Sequence, residues 1–179
     1  MNFDKLENNI TDMIKEQQIK IGYMKEAIRL NYPLSSLNNL LGTEFDLRQM
    51  LKALGEYSQS RKDRYGEMQA VSRPNDGVVC LIFDPKASEY IHNELPRDEF
   101  LEEFIAQIAK HQTSIDQVFE IFHKYSKDVI IENIDNGEFD YLVYFKDGKP
   151  DEFRYCLKDE GHHITYHRFT KTDYEDFGF

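Results

Sequence analysis

The sequence predicts an α+β protein: a winged-helix-like N-terminal half followed by a helical pair and an antiparallel β-meander. Three observations predict it. Apolar residues recur at steps of three and four through most of the chain up to Tyr125, the spacing of one helix face. After Lys127 the period falls to two, with Asn136-Gly137, Asp147-Gly148 and Glu160-Gly161 as turn punctuation. From Pro33 to Leu95, two short helical patterns precede a hairpin at Asn75-Asp76-Gly77 and a third helical pattern follows it, the order in which a winged helix is written.

The first pattern carries Phe3, Leu6, Ile10, Met13, Ile14, Ile21, Met24 and Ile28 on one face, reaching Leu30 as one long helix or as two joined near Gly22. Gln17 and Lys20 interrupt that stripe, which leaves the arm open to intrachain packing or to a homodimer. Pro33 lacks a backbone donor and biases Tyr32 away from helical angles, so the chain turns there. Leu34, Leu37, Leu40 and Leu41 form a short helix stopped by Gly42. Thr43-Glu44-Phe45-Asp46 reads as the next helix start, with the Thr43 hydroxyl as cap and Leu47, Met50, Leu51 and Leu54 as buried face. Ser58 to Asp63 marks its frayed end or an exposed loop. Met68 to Arg73 and Val78 to Phe83 flank Pro74-Asn75-Asp76-Gly77, where Asn, Asp and Gly suit the turn. Asp84 then reads as a cap and Pro85 as a first helical residue, with Ala87, Tyr90 and Ile91 facing inward.

Pro96 divides a helical, winged-helix-like domain at 1–95 from a second domain at 96–179. The second opens with a helical pair, Phe100, Leu101, Phe104, Ile105 and Ile108 on one member and Ile115, Val118, Phe119 and Phe122 on the other. Val129 to Ile131, Phe139 to Phe145, Phe153 to Leu157 and His163 to Phe169 then read as four strands. Asp173 to Phe179 is an acidic tail of low complexity. The strand aromatics predict a sheet covered on both faces or an aromatic patch for a partner, with burial the simpler outcome.

The formal net charge is −11, and the C-terminal half carries most of it. That balance repels nucleic acid and anionic membranes at long range. No apolar run approaches the ~20 residues needed to cross a bilayer, and the first ten residues lack the order of a secretion signal. The expected address is the cytoplasm. Cys80 and Cys156 read there as reduced packing thiols.

The local excess of positive charge is Arg48, Lys52, Arg61, Lys62, Arg64 and Arg73, on the helix and wing that would face DNA in a winged helix. Glu56, Asp63 and Glu67 dilute it. The residues are phosphate contacts, a solvated helix end or part of a protein-contact surface. His162, His163 and His167 crowd the last strand, yet His163 and His167 would sit roughly 13 Å apart along it at ~3.3 Å per residue, too far for one ion. No metal, cofactor or catalytic residue is assigned. Asp135 with Glu138, or Glu102 with Glu103, read as solvated acids, and Asp98, Glu99, Glu102 and Glu103 suit the start of a helix. Phosphate-loop, dinucleotide, nucleophile-elbow and zinc-protease signatures do not occur. A Cys with a distant His stays open, because such partners meet in space.

Leu6-Glu7-Asn8-Asn9-Ile10, Lys15-Glu16-Gln17-Gln18, Ile21-Gly22-Tyr23 and Arg29-Leu30-Asn31-Tyr32-Pro33-Leu34 resemble a family of uncharacterised bacterial proteins, mainly from Firmicutes. The resemblance implies a bacterial cytoplasmic origin and supplies no activity. The residues favour a non-catalytic protein-interaction or regulatory module, with a protein partner suited to the acidic half. The competing readings are a winged-helix DNA-binding regulator and a small hydrolase or transferase near the C-terminal histidines.

Overall fold

The computed structural model describes residues 1–72 and 77–177, and it divides the chain into two units, Met1–Arg97 and Asp98–Phe179. The α+β class holds, with helices and two antiparallel sheets. Arg73 and Pro74-Asn75-Asp76, where the sequence predicts the hairpin turn, lie outside the described residues, as does the end of the acidic tail.

In the first unit α1 (Phe3–Ile21) starts on Asn2, whose side chain accepts from the Lys5 amide, and it buries Leu6, Ile10 and Ile14. It stops at Gly22, whose φ of 84° leaves the helical region. The predicted continuation to Leu30 is therefore wrong. Ile28 to Pro33 form β1, with Ile28, Leu30 and Tyr32 alternately buried. Ile28 fits the helical step from Met24, but the alternation from Ile28 to Tyr32 fits a strand better, and pairing with a neighbouring strand decides it.

Helix α2 (Leu34–Leu41) ends on Gly42 at φ 65°, as expected. The cap of α3 (Leu47–Tyr65) is Asp46, in reciprocal bonds with Gln49, and not Thr43. The Thr43 hydroxyl instead donates to Asn38 Oδ1 at 2.8 Å, and the same oxygen accepts from the Phe45 amide at 2.7 Å. Asn38 thus ties the α2–α3 turn together. Ser58 to Asp63 is helix, neither frayed end nor loop. Tyr57 and Tyr65 extend the buried stripe, and the buried Ser58 hydroxyl donates to the Met68 carbonyl.

β2 (Met68–Ser72) and β3 (Val78–Phe83) pair antiparallel, Met68 opposite Phe83 and Ser72 opposite Val79. β1 pairs with the other edge of β3, Ile28 opposite Phe83, which gives the order β1-β3-β2. Central β3 sends Val79, Leu81 and Phe83 into the core. α4 (Pro85–Glu94) opens on Asp84 with Pro85 at its first position, as the sequence predicts. Gly66, at φ 70°, is required where α3 turns into β2, because a Cβ there would come within 2.9 Å of the Asp84 side chain.

In the second unit Asp98 caps α5 (Glu99–Ile108), and Ser114 with Gln117 boxes the start of α6 (Ile115–Tyr125). β4 (Val129–Asn133), β5 (Tyr141–Phe145), β6 (Arg154–Asp159) and β7 (Ile164–Phe169) form the meander in sequence order. Phe100, Phe104 and Phe122 meet Phe145 and Tyr155 edge-on or tilted, with ring centroids 4.9 to 5.9 Å apart, so the helical pair covers one sheet face. Leu142 and Cys156 point to the other face, under Phe139, Ile134, Phe169 and Tyr174. Tyr174 belongs to α7 (Lys171–Phe177), a helix within the stretch read as a plain acidic tail. Both faces are covered. No helix among the described residues is long and apolar enough to cross a membrane.

Candidate functional site

The five described basic residues do not act as one group; Arg73 lies outside the described residues. At 100° per residue, Arg61 and Arg64 fall on the same side of α3 as buried Met50, Ala53 and Tyr57, one turn beyond the core. There they meet α1. Arg61 Nε donates to Glu7 Oε2 at 2.6 Å, Arg64 Nη1 to Glu7 Oε1 at 2.8 Å, and the Tyr65 hydroxyl to Oε1 at 3.2 Å. Asp4 adds a longer contact to Arg61 at 3.5 Å. Burial pushes the Glu7 carboxyl up, but the hydrogen bond and charge of Arg61, then Arg64 and Tyr65, outweigh it and hold the group below its ordinary value. The Glu7 hydrogen bond in turn raises Arg61. Burial lifts Tyr65 to about 12, and burial raises Tyr57 further, its hydroxyl having no hydrogen-bond partner among the described residues.

Arg48, Lys52 and Lys62 lie on the opposite, solvent side with Gly55 and Gln59, all exposed. Lys62 pairs with Glu67 at 2.5 Å, both side chains more than half exposed. No carboxylate pairs with Arg48 or Lys52 among the described residues. Sequence reasoning missed Glu7 and Asp4 because nothing local in α1 announces a partner more than fifty residues away.

The histidines are dispersed. β7 begins at Ile164, so His163 is not on the strand with His167 as expected; it stacks edge-on with His162 in the preceding turn, 4.5 Å between centroids. His167 stands opposite Cys156 in register, packed between Phe139 and Phe169. Burial pushes the Cys156 thiol up to about 12, and the charge of Glu138 acts in the same direction. A thiol so held stays protonated at neutral pH and is no nucleophile. Arg154 lies over the Tyr144 ring at 3.6 Å. Among the described residues no three His, Cys, Asp or Glu side chains gather to hold an ion. Cys80, in the first unit, is a free thiol, as is Cys156.

Glu103 accepts from Lys124 at 2.5 Å and from Tyr125 at 2.8 Å, and those bonds, Lys124 first, lower its pKa. The most buried ion pair among the described residues is one the sequence did not suggest. Asp151 Oδ2 accepts from Arg168 Nη2 at 3.0 Å and from the Tyr155 hydroxyl at 2.5 Å, while Oδ1 accepts from the Phe153 amide. Arg168 also lies 4.1 Å over the Phe153 ring. These bonds fasten the loop before β6 to β6 and β7, a structural task.

A family model described as a domain of unknown function, E. rectale gene description (DUF3877), matches residues 3–178. The chain belongs to that family. The DUF3877 match runs from the first residue of α1 past the last of α7, so both units are part of what the family shares, and it agrees with the Firmicutes resemblance carried by the N-terminal residues. No curated protein and no solved structure matches the chain.

Proposed function

We propose that this DUF3877 chain is a non-catalytic recognition module of the bacterial cytoplasm, in which a winged-helix-like first unit meets a protein partner through the solvent side of α3. The element order supports the winged-helix reading. α1-β1-α2-α3-β2-β3 with sheet order β1-β3-β2 puts a strand before a helix–turn–helix pair and a hairpin after it, the hairpin sharing a sheet with that strand.

The observation that carries recognition of protein is the division of α3. Two of its arginines pair with Glu7, which leaves Arg48 and Lys52 with no carboxylate partner among the described residues and Lys62 held only by the exposed Glu67. Three cations fall short of the roughly six to ten phosphate contacts made by a typical DNA-binding surface. They suit a protein interface with complementary charge. A photo-crosslinking residue at Gln59 in living cells tests this. A protein adduct that disappears in Arg48→Glu/Lys52→Glu is expected; an adduct to nucleic acid, or none, refutes it.

Nucleic acid is the second reading, favoured by Arg48 and Lys52 near the start of the second helix of the pair, where helix–turn–helix proteins contact base edges. It requires duplex binding that weakens steeply between about 50 and 200 mM salt.

A further inference from the structure

Gly55 stands at the middle of the solvent side of α3. Arg48 lies seven residues before it and Lys62 seven after, each roughly 10 Å away along the axis at 1.5 Å per residue, and Lys52 and Gln59 fill the turns between. A glycine inside a helix weakens it relative to alanine. Nothing among the described residues explains this one. Gly55 has no positive φ, and a Cβ built on it meets no atom within 4 Å. The missing side chain leaves the helix backbone bare at the centre of a cationic stripe, where a partner can come closest.

We infer that the solvent side of α3 receives an acidic α-helix of a protein partner, lying nearly along α3 and closest to it at Gly55; this rests on the recognition reading given above. Two helices crossing at about 20° stay in contact over several turns, and their separation, 8–10 Å, is set by the side chains at the contact. Glycine permits the short end of that range. Carboxylates on the incoming helix then reach Arg48 and Lys52 at one end and Lys62 at the other. Lys62 exchanges Glu67 for such a partner at little cost, since exposed pairs contribute little. Glu56 and Asp63 border the stripe, so the incoming carboxylates are confined to positions opposite Arg48, Lys52 and Lys62.

The test is a displayed library of 24-residue alanine-based helices, randomised on one face among Glu, Lys, Gln and Leu and selected on the full chain at low salt. Selected helices should be rich in Glu, and their affinity should fall at least tenfold both for Arg48→Glu/Lys52→Glu and for Gly55→Leu. Arg48→Glu/Lys52→Glu should melt like the parent and Gly55→Leu slightly higher, because the altered sites are exposed and leucine is a better helix former than glycine. Helices without Glu enrichment, or unaffected by either variant, overturn the inference. A mixed-sequence 24-base-pair duplex provides the second arm. If the duplex alone binds and loses binding in the same variants, the acidic helix falls while recognition through α3 stands; if neither probe depends on these residues, both fall.

Discussion

Glu7 is the residue on which the α1–α3 contact turns, because one carboxylate satisfies two guanidinium groups and a phenol. Glu7→Gln should cost about 1–2 kcal/mol, the scale of partly screened charged hydrogen bonds. The pH dependence has a definite sign. A carboxyl held low in the folded state stabilises fully above its unfolded pKa of about 4.3, and that stability is lost as pH falls through the folded value. Urea melts of parent and Glu7→Gln should therefore differ at pH 7, and the gap should shrink as the pH falls below about 4.3; a gap that does not shrink with acid would contradict the pairing. Asp151 is a harder test, since it and Arg168 are each only 4% exposed. Asp151→Asn should cost about 3–5 kcal/mol by leaving a buried cation unpaired, read as a lower urea midpoint. Cys156, with its thiol raised to about 12, should resist iodoacetamide at pH 7.5 until the protein unfolds. Mass spectrometry would report it, and prompt native alkylation would count against the burial.

Among the elements, those with local stop and start signals were legible in advance. Gly42 ends α2, Asp84-Pro85 opens α4, and the meander follows its Gly turns. The elements misread are those whose identity comes from a partner. β1 is a strand because β3 pairs with it, and α7 is a helix whose Tyr174 closes over Leu142 and Cys156. Tyr174→Ala should accordingly cost about 1–2 kcal/mol, the lower part of the range for losing an aromatic because it is only half-buried, and should speed alkylation of Cys156. α3 offers the opposite experiment. Gly55→Ala fills open space on an exposed helix and should raise stability by about 0.5–1 kcal/mol. A fall in the melting temperature would mean that the site is constrained from within.

For the molecule as a whole, the charge divides by unit: 14 acids against 13 bases in residues 1–97, and 19 against 9 in residues 98–179. The net −11 that weighs against polyanion binding thus resides almost wholly in the second unit. Each unit has its own core, so residues 1–97 made alone should melt cooperatively and leave an anion exchanger at much lower salt than the full chain. A fragment without a cooperative transition would show that its core is incomplete. The sequence by itself determined the α+β class, most helix boundaries, the hairpin of β2 with β3, the order of the meander and the family, since these rest on periodicity, capping and turn residues close together in the chain. Tertiary structure alone decided that β1 is a strand, that Arg61 and Arg64 of α3 pair with Glu7 while Arg48 and Lys52 lie on the opposite side, and that Cys156 is sealed. The reason is physical: a side chain's neighbours across tens of residues fix its charge state and accessibility, and no local pattern encodes them.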